Sequence, residues 1–190
     1  MRRTASLFLA LALPAVLGGC AAAVVGGLAT GAYVAQDRRT VGSLVDDKML
    51  AVKATSALRQ DPLTVPGRII VSSFNGTVLL VGEVPSEEAK ARAGDLVQRQ
   101  GGVQRVVNEL RVGPIAPLGE RAKDSWITAE VKTRLLAAED HPGLKVNVTV
   151  DRGVVYLQGL VRQDEGDWAA DVASHVSGVT QVVKVYEYIS

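Results

Sequence analysis

The chain has 190 residues, with 21 Lys+Arg against 20 Asp+Glu and a formal charge of +1, a balance that excludes a generic nucleic-acid binder with its basic face. Apolar residues make up 47% and charged residues 22%, which is the composition of a folded chain, and the length allows one ordinary domain or two small ones. One cysteine, Cys20, and two histidines leave no intramolecular disulfide and little material for a zinc site.

Arg2 and Arg3 precede a 13-residue apolar run, Ala5 to Leu17, interrupted by Pro14. A charged start, a short apolar core and small residues after it predict a secretory signal peptide. The run is shorter than the roughly 20 apolar residues that a bilayer-spanning helix needs. Leu17-Gly18-Gly19-Cys20 resembles the lipobox of bacterial lipoproteins. That resemblance implies cleavage before Cys20 and acylation of its thiol, the strong nucleophile at that position. The alternative is a longer membrane-spanning helix, because no charge falls between Thr4 and Gln36 and Gly27 and Gly31 form a small-xxx-small pair. Pro14 and Gly18, Gly19, Gly26 and Gly27 weigh against it. Ala21 follows the cysteine, where an Asp would resemble the inner-membrane retention signal of enteric bacteria. The implied location is the periplasmic leaflet of the outer membrane. Cleavage leaves 171 residues and, without Arg2 and Arg3, a formal charge of −1.

The remainder is a repeat. Asp47, Leu50, Ala54 and Leu58 recur 77 residues later as Asp124, Ile127, Val131 and Leu135. At the same offset Gly76, Val78, Leu80, Gly82 and Val84 recur as Gly153, Val155, Leu157, Gly159 and Val161. Gly102-Val103 and Val106-Val107 return at offset 76 as Gly178-Val179 and Val182-Val183. In each copy the aspartate is placed as a helix N-cap, and the apolar residues after it, spaced three or four apart, predict a helix. Ile69 to Val71 and Thr77 to Val84 predict two strands around an Asn75-Gly76 turn. Lys145 to Val150 and Val154 to Val161, joined at Asp151-Arg152-Gly153, are their counterparts. Ser86 to Gln100 and Asp164 to Val176 predict second helices with acidic first turns, ended by Gly101-Gly102 and Gly178. Val103 to Val112 and Val179 to Ile189 predict closing strands, and Gly113 to Gly119, with two prolines, predicts the linker.

This αββαβ order, with G-x-V-x-L-x-G-x-V in the hairpin and G-V-x-x-V-V in the last strand, resembles the BON domain of bacterial envelope proteins. Two such units behind a lipobox are similar to the family of dual BON-domain outer-membrane lipoproteins. The implied fold is α+β, two tandem αββαβ domains, each a small mixed three-stranded sheet packed against two helices. The expected organisation is a signal peptide over 1–19, an acylated linker over 20–45, BON domains over 46–112 and 123–190, and a linker over 113–122.

Catalytic parts are wanting. His141 precedes Pro142 in a predicted loop and His175 stands between Ser174 and Val176, neither in a nucleophile–histidine–acid pattern. There is no phosphate loop, zinc motif or dinucleotide fingerprint, so no enzyme, metal or cofactor is expected. Glu87-Glu88 and Asp164-Glu165 read as helix-start residues.

The predicted helix from Asp124 to Ala137 is the informative one. Ile127, Val131 and Leu135 form its core stripe. Trp126, Ala129, Thr133, Leu136 and Ala137 fall on the other side, where a helix packed on a sheet should be polar, with Lys132 and Arg134 at the flanks and acidic Glu130 in the surface. At offset 77 the first copy carries Met49, Val52, Ser56, Arg59 and Gln60, which predicts that the apolar outer face belongs mainly to the second copy. The family resemblance implies that this helix meets anionic phospholipid, such as phosphatidylglycerol or cardiolipin, through Trp126, Ala129, Lys132, Thr133 and Leu136, with Gly159 in the adjoining hairpin. The alternative is an interaction scaffold, in which the same face docks an envelope protein or packs on the first domain. Trp168 is expected in the core or at the domain interface, while Tyr186 and Tyr188 need no function.

Overall fold

The computed structural model describes residues 39–137 and 146–190. The signal peptide, Cys20, most of the following linker and His141 lie outside the described residues. Helix α1 spans Val41–Gln60, strands β1 and β2 span Arg68–Phe74 and Thr77–Val84, helix α2 spans Glu87–Gln98 and β3 spans Arg105–Val112. The second unit repeats the order with α3 at Leu118–Ala137, β4 at Val146–Asp151, β5 at Val154–Val161, α4 at Gln163–Ser174 and β6 at Gln181–Tyr188. Among the described residues no helix is long and apolar enough to cross a membrane.

Each unit holds the mixed three-stranded sheet that the family resemblance implies. β2 lies centrally, antiparallel to β1 and parallel to β3, and β5 sits likewise between β4 and β6. The antiparallel pairs close through two-residue turns in which both residues have positive φ, Asn75 (48°) with Gly76 (74°) and Arg152 (49°) with Gly153 (74°). Such a turn matches the right-handed twist of its strands. The parallel partner needs a crossover, which α2 and α4 supply. Ser86 caps α2 by accepting from the Ala89 N–H. The Glu165 carboxylate accepts from the Arg162 N–H at 2.8 Å to close the start of α4, so Glu87-Glu88 and Asp164-Glu165 do serve helix starts.

Asp47 and Asp124 are not N-caps. Both stand at the seventh residue of helices that begin earlier, at Val41 after the cap Thr40 and at Leu118, inside the stretch expected as linker. Each is buried and clamps its own hairpin turn. Asp47 accepts from the backbone N–H groups of Asn75 (2.7 Å) and Gly76 (3.0 Å) and from Ser73 Oγ (2.8 Å). Asp124 accepts from the N–H groups of Arg152 (2.8 Å) and Gly153 (2.9 Å). The repeated aspartate therefore satisfies donors that the turn strands and ties helix to hairpin.

Among the described residues three apolar clusters hold these parts. Leu50, Ala54 and Leu58 of α1 pack with Val78, Leu80 and Val84 of β2 and Ala89, Ala93 and Val97 of α2. The second unit repeats this with Ile127, Val131 and Leu135 against Val155, Leu157 and Val161, and Trp168 packs at its margin. The third cluster joins the two units. Leu79 and Val81, on the face of β2 turned away from its helices, meet Tyr156 and Val185, with Ile70, Val107, Val154 and Val183 around them. The sheets stack back to back in an α/β/β/α order, and α1 and α3 are left on opposite outer layers.

A polar cluster flanks that seam. Arg68 binds Glu83 at 3.0 Å and also pairs with Asp151, and Arg152 binds Glu83 at 2.9 Å. Arg111 donates to the Asp151 carbonyl at 3.1 Å. Ser72 Oγ donates to Gln158 at 2.6 Å and accepts from Asn147 at 2.7 Å. Glu83 and Asp151 are both buried and are affected oppositely. Burial pushes the Glu83 carboxyl up, but hydrogen bonds from Arg152 and Arg68 outweigh it and hold the group below its ordinary value. Burial, with the nearby Glu83 charge, raises Asp151 against the pull of Arg68 and Arg111.

Candidate functional site

Beginning at Leu118 rather than near Asp124, α3 has 20 residues, a length of about 30 Å at 1.5 Å per residue. Its inner stripe is buried as the periodicity predicted, with Ile127, Val131 and Leu135 in the core. On the outer side Trp126 is 52% exposed and Leu136 68%, and Ala129, Lys132 and Thr133 are exposed beside them. The earlier start adds Leu118, 75% exposed, and Ala122, also exposed. At about 100° per residue Leu118, Ala122, Trp126, Ala129, Thr133 and Leu136 fall on one face, an apolar strip along the whole helix. The first domain does not cover it, because the two units meet through their sheets.

Local hydrogen bonds make this strip more apolar than its sequence. Thr133 Oγ1 donates to the Ala129 carbonyl at 2.9 Å, and Ser125 Oγ to the Arg121 carbonyl at 2.9 Å. Both hydroxyls satisfy their donors within the helix. Glu130, expected as an acidic intrusion, pairs with Arg134 at 2.8 Å. The i, i+4 pair sits at the flank and removes its isolated negative charge. Lys132 makes no ion pair among the described residues and stands at the other flank. Gly159 is placed elsewhere. It is buried in the central strand β5, opposite Val146 and Tyr186, and the outer layer separates it from the exposed strip.

The expectation that the apolar outer face belongs mainly to the second copy needs an addition, because α1 carries an apolar strip over its first half. Val41, Val45, Met49 and Val52 are each between 50% and 63% exposed and share one face by helical spacing. Comparison at Met49 and beyond missed this strip, because its first two members stand upstream of the aspartate mistaken for a cap. It ends in Ser56, Arg59 and Gln60, where α3 continues with Thr133, Leu136 and Ala137. Of the two helices, α3 carries the strip from end to end and α1 over its first half.

Among the described residues the remaining candidates form no catalytic set. His175 is exposed at the end of α4, with its ring Nδ1 2.8 Å from the Asp171 carbonyl oxygen. Among the described residues no group of three His, Cys, Asp or Glu side chains could hold a metal ion. Tyr186 and Tyr188 pack edge to face at 5.9 Å, and burial raises the Tyr186 hydroxyl above its ordinary value.

The BON domain matches this chain twice, at residues 46–114 and 123–188. The chain is similar to Outer membrane lipoprotein DolP of Haemophilus influenzae, 41% identical over 174 residues that cover 91% of this chain and 90% of that protein. It is also similar to the 21 kDa hemolysin of Actinobacillus pleuropneumoniae, 37% identical over 80% of this chain and 79% of that one. Osmotically-inducible protein Y of Escherichia coli is 30% identical over 80% of this chain and 77% of its own length.

Proposed function

Because the chain belongs to the BON-domain family of outer-membrane lipoproteins, we propose that it is a non-enzymatic periplasmic protein that binds anionic phospholipid through α3 and supports envelope integrity. Acylated Cys20 holds it at the inner leaflet, and α3 lies flat in the interface with Leu118, Trp126, Ala129, Thr133 and Leu136 towards the acyl chains. Lys132 meets the headgroup phosphates of phosphatidylglycerol or cardiolipin. The observation that carries this reading is the exposed apolar strip along α3, with a lysine at its edge that makes no ion pair among the described residues and a flanking acid neutralised by Arg134.

The magnitudes suit a tethered protein. Burying a Trp and a Leu contributes a few kcal/mol, at about 25 cal/mol per Å² of apolar surface. One lysine near an anionic surface adds about 1 kcal/mol. Such contacts are weak for a free protein and become effective when an anchor raises the local concentration at the bilayer.

The test is vesicle flotation with the compact unit Asp37–Ser190, which omits the anchor and the apolar segment after it. Binding to phosphatidylglycerol vesicles, absent with phosphatidylcholine and lost in Trp126→Glu but kept in Met49→Glu, is the expected result. Equal binding by both variants, or none by the parent, would overturn lipid recognition by α3 and favour a protein partner for the same face.

A further inference from the structure

The two domains differ at one groove. In the second domain the side chain of Lys123 lies over the backbone where α4 runs into β6. A methyl group placed on Gly178 would meet Lys123 Cε at 2.7 Å and Nζ at 3.3 Å. The homologous residues in the first domain are Asp46 and Gly102, at offsets 77 and 76. There the same placement on Gly102 meets nothing within 4 Å. What Lys123 covers in one domain stands open in the other.

The open groove has a volume of about 270 Å³ and is lined by Asp46, Met49, Lys53, Gly76, Gly102 and Gln104, among others. Asp47, at its inner end, has its oxygens taken by Ser73, Asn75, Gly76 and Arg39. Asp46 is exposed and makes no ion pair among the described residues. Lys53 stands seven residues along α1 from Asp46, about 10 Å at 1.5 Å per residue, and marks the opposite lip.

We propose that this groove receives a lysine side chain from a partner polypeptide, with its aliphatic stem laid over Gly102 and its ammonium against Asp46. The second domain shows that a lysine stem can lie there, since the solvent-exposed Lys123 passes over the homologous Gly178. Charge decides the source. Where that domain supplies a base at position 123, the first places an acid at position 46. The exposed strip of Val41, Val45 and Met49 runs past the groove and accepts apolar neighbours of that lysine. α1 and α3 occupy opposite outer layers, so a molecule resting on the bilayer through α3 turns this groove to the periplasm. The inference does not depend on lipid binding.

The test uses the unacylated mature chain, residues 20–190 with Cys20→Ser, and fluorescence anisotropy of a labelled acetyl-Leu-Lys-Leu-Leu amide. Its norleucine analogue, which keeps the stem and removes the charge, is the control. The expected result is saturable binding of the lysine peptide, at least tenfold weaker for the norleucine peptide and for Asp46→Asn. In Asp46→Lys the introduced lysine fills the groove from within and abolishes binding, while thermal unfolding confirms that both exposed-site variants remain folded. No binding, or equal binding by the parent and Asp46→Lys, overturns the proposal. Displacement of the peptide by phosphoethanolamine at lower concentration than by acetyl-lysine amide also overturns it, assigning the groove to a lipid headgroup.

Discussion

Helices α1 and α3 stand at homologous positions, Val41 to Gln60 and Leu118 to Ala137. Each uses its seventh residue, an aspartate, to hold the turn of the hairpin it covers. Their inner faces are interchangeable in character, Leu50, Ala54 and Leu58 in one and Ile127, Val131 and Leu135 in the other. Their outer faces diverge, with Met49 against Trp126, Arg59 against Leu136, and Asp46 against Lys123. Divergence confined to outward positions shows what a duplicated fold can change freely. Core and clamp residues answer to packing and to stranded backbone donors, which both copies share, whereas outer residues answer only to what comes from outside.

The largest effect is expected where the copies stop being equivalent and grip each other. Glu83 sits between Arg68 and Arg152, and Leu160 occupies its place in the second copy. Glu83→Ala takes away the carboxylate that Arg68 and Arg152 share, leaving Arg68 with Asp151 and Arg152 with the more distant Glu120, and should cost about 3 kcal/mol, the lower end for breaking a buried pair. Urea unfolding followed separately by a probe in each domain should then show two transitions in place of one. The clamps come next. Asp124→Ala strands two backbone N–H groups at roughly 1–3 kcal/mol each, so a loss of about 2–4 kcal/mol is expected in denaturant titration. Asp47→Ala should cost more, because Ser73 and Arg39 lose a partner as well.

A smaller effect tests the outer faces. Leu136→Arg gives α3 the residue that α1 carries at Arg59 and should weaken vesicle binding about tenfold, in line with the roughly 1.5–3 kcal/mol that burying a leucine contributes. Unfolding stability should stay unchanged, since Leu136 touches no core.

The smallest effect concerns pH. Glu83 is held below its ordinary value in the fold, so its contribution is present above the unfolded-state value and is lost as pH falls through the folded one. Asp151 is raised, so protonation as pH falls through its folded value favours the native state. The parent should gain slightly on mild acidification before losing stability, and Asp151→Asn should show the loss without the gain. Urea midpoints measured from neutral to acid pH check this.

Much of the architecture was legible because its causes are local. Repeated Gly-containing turns, alternating valines and three-or-four spacing identify strands and helices without reference to neighbours, and Ile127, Val131 and Leu135 were placed in the core on that basis. Trp126 and Leu136 were read as outward-facing for the same reason. The role of Asp47 and Asp124 was not legible. A cap and a clamp look alike along the chain until the turn, 28 residues further on, is brought against the carboxylate. That misreading also hid Leu118, Val41 and Val45. The run Val78-Leu79-Leu80-Val81 carried an unused signal, since a strand without alternation is covered on both faces.

The amino-acid sequence by itself determined the duplication, the order of elements and the inner face of each helix, because periodicity and turn chemistry act over a few residues. Only the tertiary structure decided that the sheets meet back to back, that Glu130 is neutralised, that Gly159 is buried away from the strip, and that Lys123 covers what Asp46 leaves open. These depend on which surfaces meet and how far a side chain reaches, and residues distant along the chain settle both.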